Sequence, residues 1–280
     1  MVILYYPDAQ VYDNIETYVD QVDKLFIFDN TPEKDYSSTH PVPQYPNAEY
    51  ISSGKNRGIG QPLNSIALRS IKEGYRFLLT MDQDSKASMN MVEEYLSFIN
   101  SQIFDAATGL LCPFVTYLNY PKKNPGTPYS EVEEAFTSGS LLNLSTYQHI
   151  GGFNEKYFID YVDNEYCLRL RKYHFHMYQI NTAQCLHQLG NTQTRKLLFM
   201  NISITNHQPI RYYYRTRNRL KLLWEYSLHF PLYSLVDLFS FFKELFKIIV
   251  YEQQKSQKMR MISFGIRDFV LGKDGEIINS

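Results

Sequence analysis

Met81-Asp82-Gln83-Asp84-Ser85 places two carboxylates one residue apart, directly after the apolar stretch Tyr75-Arg76-Phe77-Leu78-Leu79-Thr80. Oxygen ligands of this kind hold Mg²⁺ or Mn²⁺, and such an ion in turn holds a diphosphate. The same tripeptide also describes a solvated turn. A second acidic cluster follows at Asp160 and Asp163, in Phe158-Ile159-Asp160-Tyr161-Val162-Asp163-Asn164-Glu165. The pattern predicts a helix from Asn164 onward, with Asp163 at its N-cap or just before it. A carboxylate there either caps the helix or accepts a proton in catalysis. His187 offers a borderline-soft nitrogen that suits Mn²⁺ beside two carboxylates, although a single histidine is more often a packing or surface residue.

Three further stretches carry polar groups suited to a nucleotide or glycan. Asp29 ends the apolar run Leu25-Phe26-Ile27-Phe28, where a carboxylate accepts a hydrogen bond from a base or ribose, or else shapes a turn. Gly54-Lys55-Asn56-Arg57-Gly58-Ile59-Gly60 brings three glycines to a loop that allows close backbone approach. No Gly-Lys-Ser/Thr follows it, so it is not a P-loop. His207-Gln208-Pro209-Ile210-Arg211-Tyr212-Tyr213-Tyr214-Arg215-Thr216-Arg217-Asn218-Arg219 mixes basic and aromatic side chains. It reads as a solvated basic helix or as a grip for diphosphate or an anionic acceptor, with Arg211, Tyr214 and Arg217 as candidates.

The elements that must position these groups read as an α/β chain. Val2–Tyr6 and Leu25–Phe28 are predicted strands, with a helix over Val11–Gln21 between them. That is a βαβ opening, which implies a parallel sheet. Glu49–Ile51 is a short strand, a helix begins near Pro62, and Met89–Ile99 is another helix. Thr108–Tyr117 reads as a strand in which Pro113 suggests an edge or an end. Another helix starts near Leu144, and Tyr178–Ile180 is a strand with His187 in the loop beyond it. Residues 32–48 and 119–134 are Pro-rich or polar loops, the second on the acceptor side.

The 280 residues are 44% hydrophobic with a net charge of −1. That suffices for a large core and provides no global field for nucleic acid. Cys112, Cys167 and Cys185 show neither CxxC nor zinc spacing, which fits a reducing compartment. Met1-Val2-Ile3-Leu4 lacks the basic start and the length of a secretory leader, so none is expected. No uncharged apolar run reaches membrane-spanning length. The expected location is cytoplasmic, or peripheral on the inner face of the cell membrane.

Taken in order, the motifs resemble glycosyltransferase family 2, with the GT-A fold, and most closely its bacterial rhamnosyltransferase-type branch. They are Asp29-Asn30, Asn56-Arg57-Gly58…Asn64, Asp82-Gln83-Asp84-Ser85, Ser138-Gly139-Ser140, Gly151-Gly152-Phe153-Asn154-Glu155, Asp160…Asp163, and His187-Gln188-Leu189-Gly190. The resemblance implies a mixed, mainly parallel sheet flanked by helices, with a C-terminal helical extension. It implies that Tyr5, Tyr6 and Asp29 bind the nucleobase and that Asn56, Arg57 and Gly58 lie near the nucleotide. Asp82, Gln83 and Asp84 would meet the donor. Asp82, Asp84 and His187 would hold Mn²⁺ or Mg²⁺. Asp163 matches the catalytic base. The chain departs from the family where Val162 replaces the usual Glu, which leaves Asp160 as a competing base. It departs again near Tyr173-His174, where the usual Gly is missing.

The expected division is a catalytic domain over 1–225, with a nucleotide-binding half over 1–100 and an acceptor half over 101–225. A helical segment follows at 226–280. Phe230–Tyr251 is densely apolar with a narrow stripe of Asp237, Ser240, Lys243, Glu244 and Lys247. It either lies in a membrane interface or packs on protein, including a homodimer partner through 230–260. Lys255, Lys258, Arg260 and Arg267 add positive charge.

The implied function is an inverting, metal-dependent transferase. It would move a sugar from dTDP-rhamnose or a UDP-hexose to a hydroxyl of a surface polysaccharide or lipid-linked glycan. The alternatives are an inactive nucleotide- or carbohydrate-binding module on the same fold, or a nucleotidyltransferase. The latter usually needs a basic Gly-rich N-terminal loop, which Pro7-Asp8-Ala9-Gln10 does not provide.

Overall fold

The computed structural model describes all residues except 34, 36–41, 118–122, 188–192, 198–199, 205 and 278–280, and only the backbone of the strands between 193 and 204. The chain divides into two compact units. One comprises Met1–Glu155 with Asp163–Gln188, and the other Lys156–Val162 with Leu189–Ser280.

The first unit is built on a nine-stranded mixed sheet. Its strands are β1 (Val2–Leu4), β2 (Leu25–Asp29), β3 (Ala48–Ser52), β4 (Phe77–Asp82), β5 (Ser85–Ala87), β6 (Thr108–Tyr117), β7 (Tyr129–Glu131), β8 (Ser140–Asn143) and β9 (His176–His187). They run in the order β3-β2-β1-β4-β8-β6-β9-β5, with β7 also pairing β9. The β3-β2-β1-β4 half is parallel, as the βαβ opening predicts. The pairs β4–β8, β6–β8, β5–β9 and β7–β9 are antiparallel, while β6–β9 is parallel.

Every residue of β2 is buried, because a strand covered on both faces carries a continuous apolar run rather than an alternating one. Helix α1 (Ala9–Ile15) starts at Asp8, whose side chain accepts the Val11 N–H. Its predicted continuation is broken, and Val19–Gln21 forms a separate 3-10 turn. Helix α2 (Gly60–Lys72) buries Leu63, Ile66, Ala67 and Ser70, one face at i, i+3, i+4 and i+7. Helices α3 (Met91–Ile99), α4 (Leu144–Ile150) and α5 (Val162–Lys172) follow. The core joins Val2, Leu4, Ile15, Ile27, Leu79, Met91, Tyr95 and Cys185, among others.

Two sequence expectations change here. Strand β6 lies between β8 and β9 rather than at an edge. Pro113 is accommodated by a register shift between Pro113 and Phe114, because a bulge removes the need for a donor there. The glycine expected near Tyr173-His174 is replaced by His174 itself, at φ +61°. That is the left-handed position that closes a helix, so the departure alters only the turn.

The second unit pairs β10 (Gln193–Leu197) with β11 (Met200–Ile204) and packs α6 (Pro209–Tyr226), α7 (Pro231–Tyr251) and α8 (Lys255–Val270). The sequence boundary at 225 falls at the end of α6, yet α6 packs mainly on α8 and belongs with it. Charges tie these helices together. Lys258, 1% exposed, reaches Glu252 at 2.7 Å, and Glu252 also accepts the Tyr212 hydroxyl. Lys258 is therefore a buried structural cation and adds nothing to the surface charge expected of it.

Candidate active site

The site forms where the carboxyl ends of β1, β2 and β4 coincide. Leu4 pairs with Asp29 and Ile3 pairs with Asp82, so the three strands finish level. Ligands bind in α/β sheets at such ends. Tyr5 and Tyr6 leave β1 here, both over 40% exposed, with their rings edge-on at 4.7 Å. Gln83 docks on this exit. Its Oε1 accepts the Tyr5 N–H at 2.8 Å and its Nε2 donates to the Tyr5 carbonyl at 3.2 Å. Gln83 thus fixes the turn that carries Asp82 and Asp84.

Asp29 has a different place from the one its position suggests. It is 2% exposed, and both carboxylate oxygens are engaged, one by the Thr31 N–H and the other by the Tyr50 hydroxyl. Buried and paired, it braces the strand ends, and the exposed Tyr5 and Tyr6 stand at the same ends. Asn30, equally buried, accepts the Arg57 N–H and donates to the Gly58 carbonyl. Asn56 accepts the Gly58 N–H at 2.9 Å. The Asn-Arg-Gly loop is therefore tied directly to the β2 exit, with Arg57 exposed beside it.

Asp82, Asp84 and His187 come together, with one ligand atom of each within 4.8 Å of the others. His187 is the last residue of β9 rather than a loop residue, and antiparallel pairing sets it opposite Ser85. Its Nδ1 lies 2.7 Å from Ser85 Oγ and 3.4 Å from Asp84 Oδ1. Two carboxylates and an imidazole suit Mn²⁺ or Mg²⁺, and the serine supplies the kind of outer contact that orients a ligating histidine. Gln188, Leu189 and Gly190 lie outside the described residues.

The Ser138-Gly139-Ser140 segment supports the cluster from below. Ser138 Oγ accepts the Asp82 N–H, and the Gly139 N–H donates to the Thr80 carbonyl. Gly139 sits at φ +79°, and a Cβ there would meet Pro113 Cγ at 2.5 Å, so only glycine fits. Three residues upstream, the Ala135 N–H donates to Cys167 Sγ. Three residues span at most about 10 Å, so Cys167, just beyond the first turn of α5, lies near the segment that supports Asp82.

Asp163 stands in that first turn. Helix α5 begins at Val162, two residues earlier than an Asp163 N-cap requires, and the Asn164 N–H donates to Asp163 Oδ1 at 2.9 Å. The loop before α5 is anchored within the same unit through Asn64. Its amide donates to the Phe153 carbonyl and to Glu155, and its carbonyl oxygen accepts from Tyr147 and from the Phe153 N–H. Arg169 holds the Ile150 and Gly152 carbonyls and pairs with the buried Glu165. Burial pushes the thiols of Cys167 and Cys185 up, the latter to about 12, so both remain uncharged packing groups.

Asp160 belongs to the second unit and is already spoken for. Its carboxylate takes a forked guanidinium from Arg211, with contacts of 3.0 to 3.2 Å. Arg217 is fully buried and donates to the carbonyls of Gly275, Lys156 and Tyr157, so it is a clamp rather than a grip for diphosphate. Tyr214 is 5% exposed, stacks on Phe158 and accepts the Ile277 N–H. Of the three basic-segment candidates, Arg211 alone keeps an exposed side chain, and Asp160 pairs with it. Sequence reasoning gave no role to Ser85, Thr31, Asn64, Ser138 or Asn218. Asn64, Ser85 and Ser138 stand in the ordered motif set and Asn218 in the basic segment; Thr31 carries no such signal.

The central mixed sheet and the flanking helices are those of the GT-A fold. The structure of GalNAc-T7 with UDP, GalNAc and Mn²⁺ superposes with a TM-score of 0.55 at 6% identity, over 79% of this chain and 46% of that one. TarS 1–349 of S. aureus with UDP-GlcNAc aligns over 96% of this chain and 72% of its own at 11% identity and a TM-score of 0.49, too low to carry an argument. In sequence, the chain is 28% identical over 186 residues to the dTDP-rhamnosyl transferase RfbF of Shigella flexneri, covering 62% of each protein. The chain thus spans somewhat under two thirds of that relative's length. No family model matches the chain. The resemblance read from the motifs, to GT-A glycosyltransferases and their rhamnosyltransferase branch, is matched by both the fold and this relative.

Proposed function

We propose that this protein transfers a sugar from a nucleoside diphosphate donor to an acceptor hydroxyl, with inversion and with a divalent cation. The observation that carries the reading is the Asp82/Asp84/His187 cluster at the level strand ends, in the same unit as Asp163. Similarity to a rhamnosyltransferase favours dTDP-rhamnose over a UDP-hexose as donor. A growing surface polysaccharide or a lipid-linked glycan is the proposed acceptor.

Asp82, Asp84 and His187 would hold Mn²⁺ or Mg²⁺, which supplies a Lewis acid for the leaving diphosphate. Tyr5 and Tyr6 offer aromatic surface for the base, and Arg57 offers positive charge beside it. Asp163 takes the proton of the acceptor hydroxyl as its oxygen bonds to the anomeric carbon. The bond from that carbon to the diphosphate oxygen breaks on the opposite side, and the electron pair leaves with the nucleotide. Asp160 is already held in an ion pair with Arg211, which leaves Asp163 as the proposed base.

The test is turnover of dTDP-rhamnose and UDP-hexoses with Mn²⁺ and a glycan acceptor, beside nucleotide-induced thermal shifts. Donor-dependent product with one diphosphate nucleotide preferred is expected. Nucleotide binding with neither transfer nor donor hydrolysis would leave an inactive binding module.

A further inference from the structure

The turn that carries Asp82 and Asp84 is held at successive atoms, and one of its holders belongs to no motif in the sequence. Ser138 Oγ accepts the Asp82 N–H, and the Gln83 side chain is docked on Tyr5. The third holder is Asn14, inside α1, whose Nδ2 donates to the Gln83 carbonyl at 2.7 Å. That carbonyl belongs to the planar peptide joining Gln83 to Asp84. Fixing it fixes the direction in which Asp84 leaves the backbone. Asp84 needs such support, since it is exposed and pairs only with His187 among the described residues.

Asn14 stands against what its surroundings prefer. It is 2% exposed, and Val11, Ile15 and Tyr18 around it in the chain are core residues. Its Oδ1 is buried and meets no hydrogen-bond partner among the described residues. An amide oxygen buried unpaired costs stability, which a leucine of similar size would avoid. The one hydrogen bond the buried side chain makes goes to the turn between the two acids.

Two later residues continue the same brace. Thr17 Oγ1 accepts the Ala87 N–H at 3.0 Å. Gln21 Nε2 donates to the Ser88 carbonyl at 2.8 Å, and its Oε1 accepts the Val92 N–H at 3.1 Å. Asn14, Thr17 and Gln21 thus follow the backbone from the acid pair through β5 to the start of α3. Thr17 and Gln21 hold it beyond the acids, and Asn14 holds it between them.

We propose that Asn14 is a positioning residue for the divalent cation: it sets the Gln83–Asp84 peptide so that the Asp84 carboxylate meets Asp82 and His187 around one ion. The proposal rests on the reading of those three residues as the metal site. Ligand atoms must be held to within about 0.5 Å, and outer contacts change metal affinity by about 10- to 100-fold.

The test is titration calorimetry of the full chain with Mn²⁺ alone, beside thermal unfolding without metal. The variants are Asn14→Leu, which fills the space without a donor, and Asn14→Ala, which repeats the measurement should leucine not fit. Gln21→Leu, which cuts the brace past β5, is the comparison. Asn14→Leu is expected to bind Mn²⁺ about tenfold more weakly than the parent. Gln21→Leu is expected to melt below the parent and keep its Mn²⁺ affinity, so that affinity follows residue 14 and not stability. Parent affinity in both position-14 variants would overturn the role of Asn14 and leave the metal site standing. An equal loss of affinity in Gln21→Leu would also overturn it, because general loosening of the segment would then account for the change. No Mn²⁺ binding by the parent would remove the metal site itself, and this proposal with it.

Discussion

Ser85 Oγ and His187 Nδ1 lie 2.7 Å apart at paired positions of β5 and β9. The same nitrogen lies 3.4 Å from Asp84 Oδ1, and the pairing of β5 with β9 is the means by which a distant histidine reaches the acid pair. Outer contacts of this kind change metal affinity by about 10- to 100-fold. We expect His187→Ala to weaken Mn²⁺ binding by at least tenfold and Ser85→Ala to weaken it by about tenfold. Titration calorimetry with the metal alone checks both; unchanged affinity in His187→Ala would remove His187 from the site.

The two acidic candidates before and within α5 separate by their partners. Asp160 is bound by Arg211, whereas Asp163 sits in the first turn of α5, in the unit that holds Asp82, Asp84 and His187. Loss of a general base costs roughly 10² to 10⁴ in rate. Asp163→Asn is expected to lose transfer by that order while a nucleoside diphosphate still raises the melting temperature. Asp160→Asn is expected to keep most of its turnover. The reverse outcome would exchange the two roles.

Local chemistry was legible in the sequence and long-range pairing was not. Asp82 and Asp84 could be read because an apolar run ends on them. Their meeting with His187 depends on β5 crossing to β9, which no local pattern encodes. Asp29 was read as a ligand because it ends a strand; that it also accepts the hydroxyl of Tyr50 from the neighbouring strand could not be read locally. Arg217 and Lys258 look like surface cations by type, yet tertiary packing encloses both and gives them carbonyl or carboxylate partners. Pro113 reads as an edge signal because a bulge cannot be seen until its partner strand is known.

Asn218 is a strong determinant of stability. It is fully buried, and its amide nitrogen reaches the carbonyls of Tyr157, Ile159 and Asp160 at 2.6 to 2.9 Å. That segment holds Phe158, Asp160 and Tyr161 at positive φ, a conformation that non-glycine residues adopt at a cost. Leaving buried carbonyls unsatisfied costs about 1 to 3 kcal/mol each at most. Asn218→Ala is expected to lose about 2 to 4 kcal/mol in urea unfolding. Asn218→Asp keeps the shape but faces three acceptors with another acceptor, so it should be no better. A stable aspartate variant would show that volume, not donation, is what the site requires.

His207 gives the second unit an acid-sensitive point. Burial, with Arg211 and Arg215 nearby, lowers its pKa to about 4 from 6.5, against the opposing pull of Asp160 and Glu252. A depressed histidine binds fewer protons folded than unfolded between those values, so stability falls as pH drops from about 6.5 towards 4. Above 6.5 the group is neutral in both states and contributes no slope. Because the side chain is only half-buried, solvent reduces the effect, and a loss on the order of 1 to 2 kcal/mol is expected across that window. His207→Gln cannot take up the proton, so its stability profile should be flatter between pH 6.5 and 4 and parallel to the parent above it. Urea unfolding at a series of pH values reads this directly. Parallel profiles throughout would mean that His207 is already solvated, and that the acid response of this unit comes from its carboxylates.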